Sequence, residues 1–206
     1  MSDENSPSRV STAPSTERPQ MNPHLSHATT HLDTLSTEHP LHTALATALA
    51  TYTANSDLTA TFVRLLPEIL TTSASDFGFL AEVVYAIPTK PYLHSHAVVD
   101  IYKSNYTIND IVSNLNFHNL DTLNGAILTS QAPVLSNDPA SDPRSGGVPA
   151  GHMKLSCFLG IPFIVAGQLL GACALANKPG GYTDADIEYC APLAQIGGLL
   201  IAADRS

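Results

Sequence analysis

Between residues 137 and 154 the chain gathers side chains that can handle a ligand: Asn137 and Asp138 at one end, Arg144 in the middle, and Gly151-His152 at the other. A guanidinium such as Arg144 offers a planar fork for a carboxylate or phosphate. An imidazole such as His152 donates or accepts near neutral pH. Residues 138–154, "DPASDPRSGGVPAGHMK", also read as the one long loop inside the domain, and loops of that length are usually functional or mobile. Two readings stand side by side. Either these residues touch a ligand, or Asn137 and Asp138 cap the loop through local backbone bonds while Arg144 pairs with an acidic neighbour.

His94 and His96 form a second constellation, two residues apart on one strand face with Asp100 and Tyr102. Two histidines at this spacing can ligate a metal, but no third ligand is apparent, so a polar pocket wall is preferred and no metal is assigned. Phe79, Tyr85 and Phe158 are candidate aromatic walls for the same pocket, each equally explained as core. Asn177 would project toward it from a strand end. Cys157, Cys173 and Cys190 each lie among apolar neighbours, where cysteine behaves as a small buried hydrophobe. That usage fits a reducing, cytoplasmic setting. The turn "NKPGGYT" lacks the spacing of either phosphate-loop type. Lys178-Pro179-Gly180-Gly181 instead suit a type II turn, with glycine where a positive φ is required.

The elements that must position these groups follow from periodicity. Residues 1–40 are rich in Ser, Thr, Pro and His and poor in large apolar side chains, which predicts a disordered tail. His24, His27 and His31 would share a helix face there, without a scaffold to hold a metal. Leu41, Leu45, Leu49 and Tyr52 predict a flanking helix over 41–56, and Asp57 caps a second helix that Pro67 kinks or splits. "FGFLAEVVYA" alternates as a strand. "LHSHAVVDIY" predicts its antiparallel partner, with Leu93, Ala97, Val99 and Ile101 on one face. A helix-rich stretch then runs to about Ser130, followed by a short strand at "PVLSND". A hairpin follows in which Pro162 marks a bulge or an edge. "TDAD" caps a final helix at Thr183. Its body, Tyr189 to Ala203, is free of charge, so one face should meet the sheet and another a second helix or a second subunit.

Taken together, "LNGAILTSQAPVLSNDPASDPRSGGVPAGH" and "SCFLGIPFIVAGQLLGACALANKPGGYTDADI" resemble a GAF domain of the type found in bacterial sensor kinases and related signalling proteins. The resemblance covers roughly Leu58 to Ala203, and assigns 57–206 to the GAF domain. It implies an α+β fold: an antiparallel sheet of five to six strands, terminal helices on one face, and a pocket under a helical insertion and the long loop on the other. It also implies sensing of cyclic nucleotides, bilins, haem or small metabolites, or dimerisation alone. Bilin attachment is disfavoured because no cysteine precedes a histidine. For haem, His152 and His118 are the only candidate axial ligands, with no spacing to support them. The cofactor is therefore left unknown.

With 206 residues, 9 basic against 18 acidic and a net charge of −9, the chain lacks the basic stripe that nucleic acid requires. Its opening lacks a signal peptide's basic and apolar regions, and its apolar stretches are too short to span a membrane. The expected function is a small-molecule-sensing regulatory module without a catalytic output domain, a homodimer through its last helix, with a separate signalling partner as its output. The ligand would meet Phe79, His96, Asn137, Asp138, Arg144, His152, Phe158 and Asn177. The alternatives are a ligand-free dimerisation module and a free methionine sulfoxide reductase. The second needs a reactive cysteine in a loop over the pocket.

Overall fold

The computed structural model describes residues 22–87, 90–103, 105–147 and 151–206. Three helices come first: α1 (Pro23–Thr34), α2 (His42–Asn55) and α3 (Leu58–Ser73). Strands β1 (Phe77–Val84) and β2 (Tyr92–Val99) follow, then β3 (Ile111–Val112), β4 (Asn116–Phe117), α4 (Leu123–Ser130) and β5 (Val134–Ser136). The hairpin β6 (Phe158–Val165) and β7 (Gln168–Ala176) leads to α5 (Asp184–Asp204).

The strands form one antiparallel sheet in the order β3-β2-β1-β7-β6-β5, with β4 also paired to β2. The count is seven rather than the expected five to six because β3 and β4, two residues each, line the outer edge of β2. Such pieces are too short to show periodicity. They replace most of the helix-rich stretch expected before Ser130, of which only α4 is α-helical.

Alternation along the strands divides the core. Leu80, Leu159, Ile161, Phe163, Cys173 and Leu175 pack against α3 and α5. Phe79, Ala81, Val83, Phe158, Ala172 and Ala174 face the other way, toward α4. The pairing of β1 with β2 shifts register between Leu80 and Ala81, which leaves His96 outside the ladder as an extra residue. The bulge inverts the alternation in β2. Leu93 therefore joins the α4 side while Ala97 and Val99 join the helical side, correcting the expectation of one shared face.

On the helical side Asp57 accepts a hydrogen bond from the Ala60 N–H at 2.8 Å and starts α3. The helix continues through Pro67 without a break and buries Phe62, Leu65, Leu66, Ile69 and Leu70. Each such side chain contributes about 1.5–3 kcal/mol by leaving water. At Pro162 the strand β6 pairs with β7 but lies beyond the last β5 partner, Gly160, so it is an edge there.

The expected tail also proves structured where it is described. Asn22 caps α1 by accepting from the His24 N–H at 2.9 Å, and Pro23 occupies the first turn. Ala28 is fully buried, and Leu25 and Leu32 pack on the same core. Few large apolar residues are needed because α1 covers a ready apolar surface, that of α5. The remainder of the predicted tail, residues 1–21, lies outside the described residues. Asn22 Nδ2 donates to Ser206 Oγ at 2.7 Å, while His39 stacks on Tyr189 at 5.4 Å, so α1 and α5 run antiparallel. The charge-free body of α5 thus meets the sheet on one side and α1 on another. Gly197 permits the first contact: a Cβ there would come within 2.8 Å of the Phe163 ring.

Candidate functional site

Across the sheet from α3 and α5 lies a cavity of about 570 Å³. Its floor is β1 at Phe77–Phe79, the end of β2 and Ala174–Ala176 of β7. Its walls are the turn after β2, the segment Leu115–Asn119, the first turn of α4, and the long loop at Ser145–Gly147 and His152. Local chemistry holds these walls. Thr122 caps α4 by accepting the Gly125 N–H at 3.1 Å. Gly146 brings the loop onto that cap, since a Cβ there would lie 2.0 Å from the Asp121 carbonyl oxygen.

The lining is mainly apolar and aromatic. Phe79 stacks on Phe117 with ring centroids 4.9 Å apart, and Phe77 and Tyr102 meet the His152 ring edge to face at 5.9 and 6.2 Å. His152 Nδ1 lies 2.7 Å from the Met153 carbonyl oxygen. A carbonyl only accepts, so Nδ1 carries the hydrogen and Nε2 of a neutral ring is left to accept. Asp100 is the one carboxylate in the described lining, which holds no lysine or arginine. Asn124, in the first turn of α4, also lines the cavity, and its Oδ1 is buried without a hydrogen-bond partner. An orphaned buried acceptor of this kind costs about 1–3 kcal/mol.

Of the residues expected at the site, Phe79, Phe158 and His152 line this cavity. The others are engaged elsewhere. His96 lies on the opposite side of the sheet, under α3, with Nδ1 2.8 Å from Thr59 Oγ1 and Nε2 3.2 Å from Glu82 Oε1. Because the bulge turned β2 over, the His94–His96 face is not a pocket wall; His94 instead meets Asn116 Oδ1 at 2.8 Å. Asn137 donates to the Tyr182 carbonyl and accepts from the Tyr182 N–H, both at 2.8 Å. The backbone oxygen of Asp138 accepts from Ser141 at 3.1 Å in a local turn, and the residue is exposed. Arg144 grips Asp142 with two nitrogens, at 3.0 and 2.7 Å, and donates to the Leu135 carbonyl at 2.9 Å. That fork holds the Asp142 carboxyl well below its usual range. Asn177 Oδ1 accepts from Ser156 at 2.8 Å and its Nδ2 donates to the Lys154 carbonyl at 3.0 Å, pinning the end of the loop to β7.

These four loop-associated groups therefore shape the walls rather than face the cavity. The type II turn is present as read: the Gly181 N–H donates to the Lys178 carbonyl at 3.0 Å and Gly180 has φ of 85°. Sequence reasoning missed Asn124 and Phe117. Asn124 stood out as a polar residue inside the run "LNGAIL"; Phe117 sits in a two-residue strand that leaves no pattern.

All three cysteines are buried free thiols, and none lines the cavity. Burial pushes the Cys173 thiol well up and the Cys190 thiol up to about 12. Among the described residues no group of three or more His, Cys, Asp or Glu side chains could hold a metal ion. No helix among them is long and apolar enough to cross a membrane.

The sheet thus carries helices on one face and a walled cavity on the other, an open antiparallel α+β fold. The chain belongs to the GAF domain family, whose model matches residues 55–202. Among solved structures it is similar to the GAF domain from a phosphoenolpyruvate-protein phosphotransferase of Coxiella burnetii, at 18% identity and a TM-score of 0.62, covering 82% of this chain and 97% of that one. It is also similar to the free methionine-R-sulfoxide reductase from Neisseria meningitidis in complex with its substrate, at 12% identity and a TM-score of 0.54, covering 76% of this chain and 84% of that one. The phycocyanobilin-bound GAF domain from a cyanobacterial phytochrome matches at 12% identity and a TM-score of 0.54, covering 84% of this chain and 97% of that one. No curated protein matches the chain in sequence.

Proposed function

We propose that this GAF domain is a regulatory sensor that binds a small molecule in the cavity above Phe79 and Phe158, and that its ligand state is read by a separate signalling partner. The observation that carries the reading is the cavity itself: about 570 Å³, walled by aromatic rings, with one unsatisfied amide. Pockets of a few hundred Å³ with an apolar lining and few polar groups are where small ligands bind. A reductase role draws no support from the thiols. All are buried away from the cavity, and a thiolate nucleophile needs a lowered pKa and access. The reading is therefore a binding module rather than an enzyme, and free cysteines suit a cytoplasmic setting.

A homodimer through α5 no longer follows from the apolar character of that helix. Leu193 and Leu200 are fully buried within the chain, beneath the sheet and α1.

Native mass spectrometry of the protein purified from its own host tests the sensor reading. A retained small molecule is expected, and it should be lost in Val98→Phe, which places a ring in the cavity floor at the end of β2. A chain that carries nothing and whose thermal stability does not respond to a metabolite extract would overturn it.

A further inference from the structure

The junction between α1 and α2 is closed by an imidazole. His39 Nδ1 accepts a hydrogen bond from the Leu41 N–H at 3.2 Å, so a neutral ring carries its hydrogen on Nε2. Leu41 immediately precedes α2 and is fully buried, and no side chain caps that helix from the N-cap position. The His39 ring supplies an acceptor there instead, with Pro40 fixing the backbone between the two residues. The same ring stacks on Tyr189 of α5. His39 thus ties the junction to α5, at the end of α1 opposite the Asn22–Ser206 contact.

Protonation would undo the tie. An imidazolium carries hydrogens on both nitrogens and has no acceptor, so the Leu41 N–H would lose its partner whichever way the ring turned. The new charge would lie beside His42 at the N-terminus of α2, where the helix dipole disfavours a cation. Among the described residues no carboxylate stands at ion-pair distance from His39 to relieve it. Asp33 and Glu38, on the same side of the junction, are exposed, as are Glu68 of α3 and Glu188 of α5. Asp186 of α5 is already paired with Lys178. The Tyr189 phenol, pushed up by burial, stays neutral. Burial, with His42 beside it, holds the His39 imidazole below its usual 6.5. The folded value is the lower one, so the stabilisation is complete above about pH 6.5 and is lost as the pH falls below it.

Little else holds α1. Its 12 residues bury only Ala28 completely, it contributes to no ion pair among the described residues, and a helix of that length is marginal on its own. We propose that His39 is a pH-sensitive latch: neutral, it holds α1 against α5, and protonated, it frees α1 and uncovers the apolar surface of α5 beneath. The latch sits on the helical side of the sheet and does not depend on what the cavity holds.

Hydrogen exchange read by mass spectrometry on the full chain, corrected for the intrinsic effect of pH, tests it at about pH 7.5 and about pH 5.5. Protection of residues 23–35 should fall at the lower pH, with opening increasing by up to about tenfold per pH unit, the limit for one proton. Protection of β6 and β7 should hold. His39→Asn should abolish the response, because an asparagine oxygen accepts the N–H two residues on and does not titrate. His39→Lys, a cation without an acceptor, should leave α1 open at both pH values. His42→Asn should keep the response and move it to higher pH. Equal protection of α1 in the parent at the two pH values, a full response in His39→Asn, or its loss in His42→Asn would each overturn the latch. An NMR titration of the parent needs no variant: a His39 midpoint at or above 6.5 would overturn it as well.

Discussion

Asn137 uses both ends of its amide on the backbone of Tyr182, so its role belongs to stability rather than to ligand contact. Asn137→Ala should cost about 1–3 kcal/mol in urea unfolding by leaving the Tyr182 N–H and carbonyl unpaired, while ligand affinity stays within about twofold. A large affinity loss without a stability loss would reverse that assignment. Glu82 behaves as a half-buried anchor. It accepts from His96 at 3.2 Å and from Arg205 at 2.6 Å, joining the bulge to the C-terminal end of α5. The His96 hydrogen bond, against an opposing burial effect and with help from Arg205, lowers its carboxyl from 4.5 to about 2. Since the folded value is the lower one, the stabilisation is present above about pH 4.5 and is lost as the pH falls toward 2. Unfolding free energies measured between pH 6 and 2.5 should fall less steeply in Glu82→Gln than in the parent. Parallel curves would show that Glu82 contributes nothing to acid sensitivity. Residue identity alone disclosed neither role, because Asn137 and Glu82 owe their partners to strands and helices distant in the chain.

At the scale of elements, α1, packed antiparallel on α5, is the second helix that the apolar last helix called for. α1 brings Leu25, Ala28 and Leu32 to that surface. Removing residues 1–35 should expose it, lower the melting temperature by several degrees and raise binding of an apolar dye. An unchanged melting temperature would mean that α1 is not a needed cover. Several elements were legible in advance because each carried its own local code. The Asp57 cap, the alternation in β1 and the Thr183-Asp186 box each read correctly, the last with the Thr183 N–H donating to Asp186 Oδ2 at 2.8 Å. β2 was read correctly as a strand and wrongly in its facing. One extra residue at His96 inverts every side chain after it, and nothing in "LHSHAVVDIY" marks where the partner strand skips.

For the whole molecule, a ligand that binds the folded chain and not the unfolded one stabilises it by mass action, by about 2.7 kcal/mol at one hundred times its Kd. Protein unfolded in denaturant, dialysed and refolded should therefore melt several degrees below protein as purified, and recover when the extracted small molecule is returned. Identical melting would count against a retained ligand. The amino-acid sequence by itself determined the α+β class, the strand hairpins, the caps, the closing turn and membership of the fold, because hydrophobic period and turn chemistry act over a few neighbouring residues. Only the tertiary structure decided which groups face the cavity. It turned His96 under α3, committed Asn137, Arg144 and Asn177 to holding the walls, and left Asn124 without a partner. A side chain's chemistry is set by what it meets across the fold, and those contacts come from register and packing between distant segments.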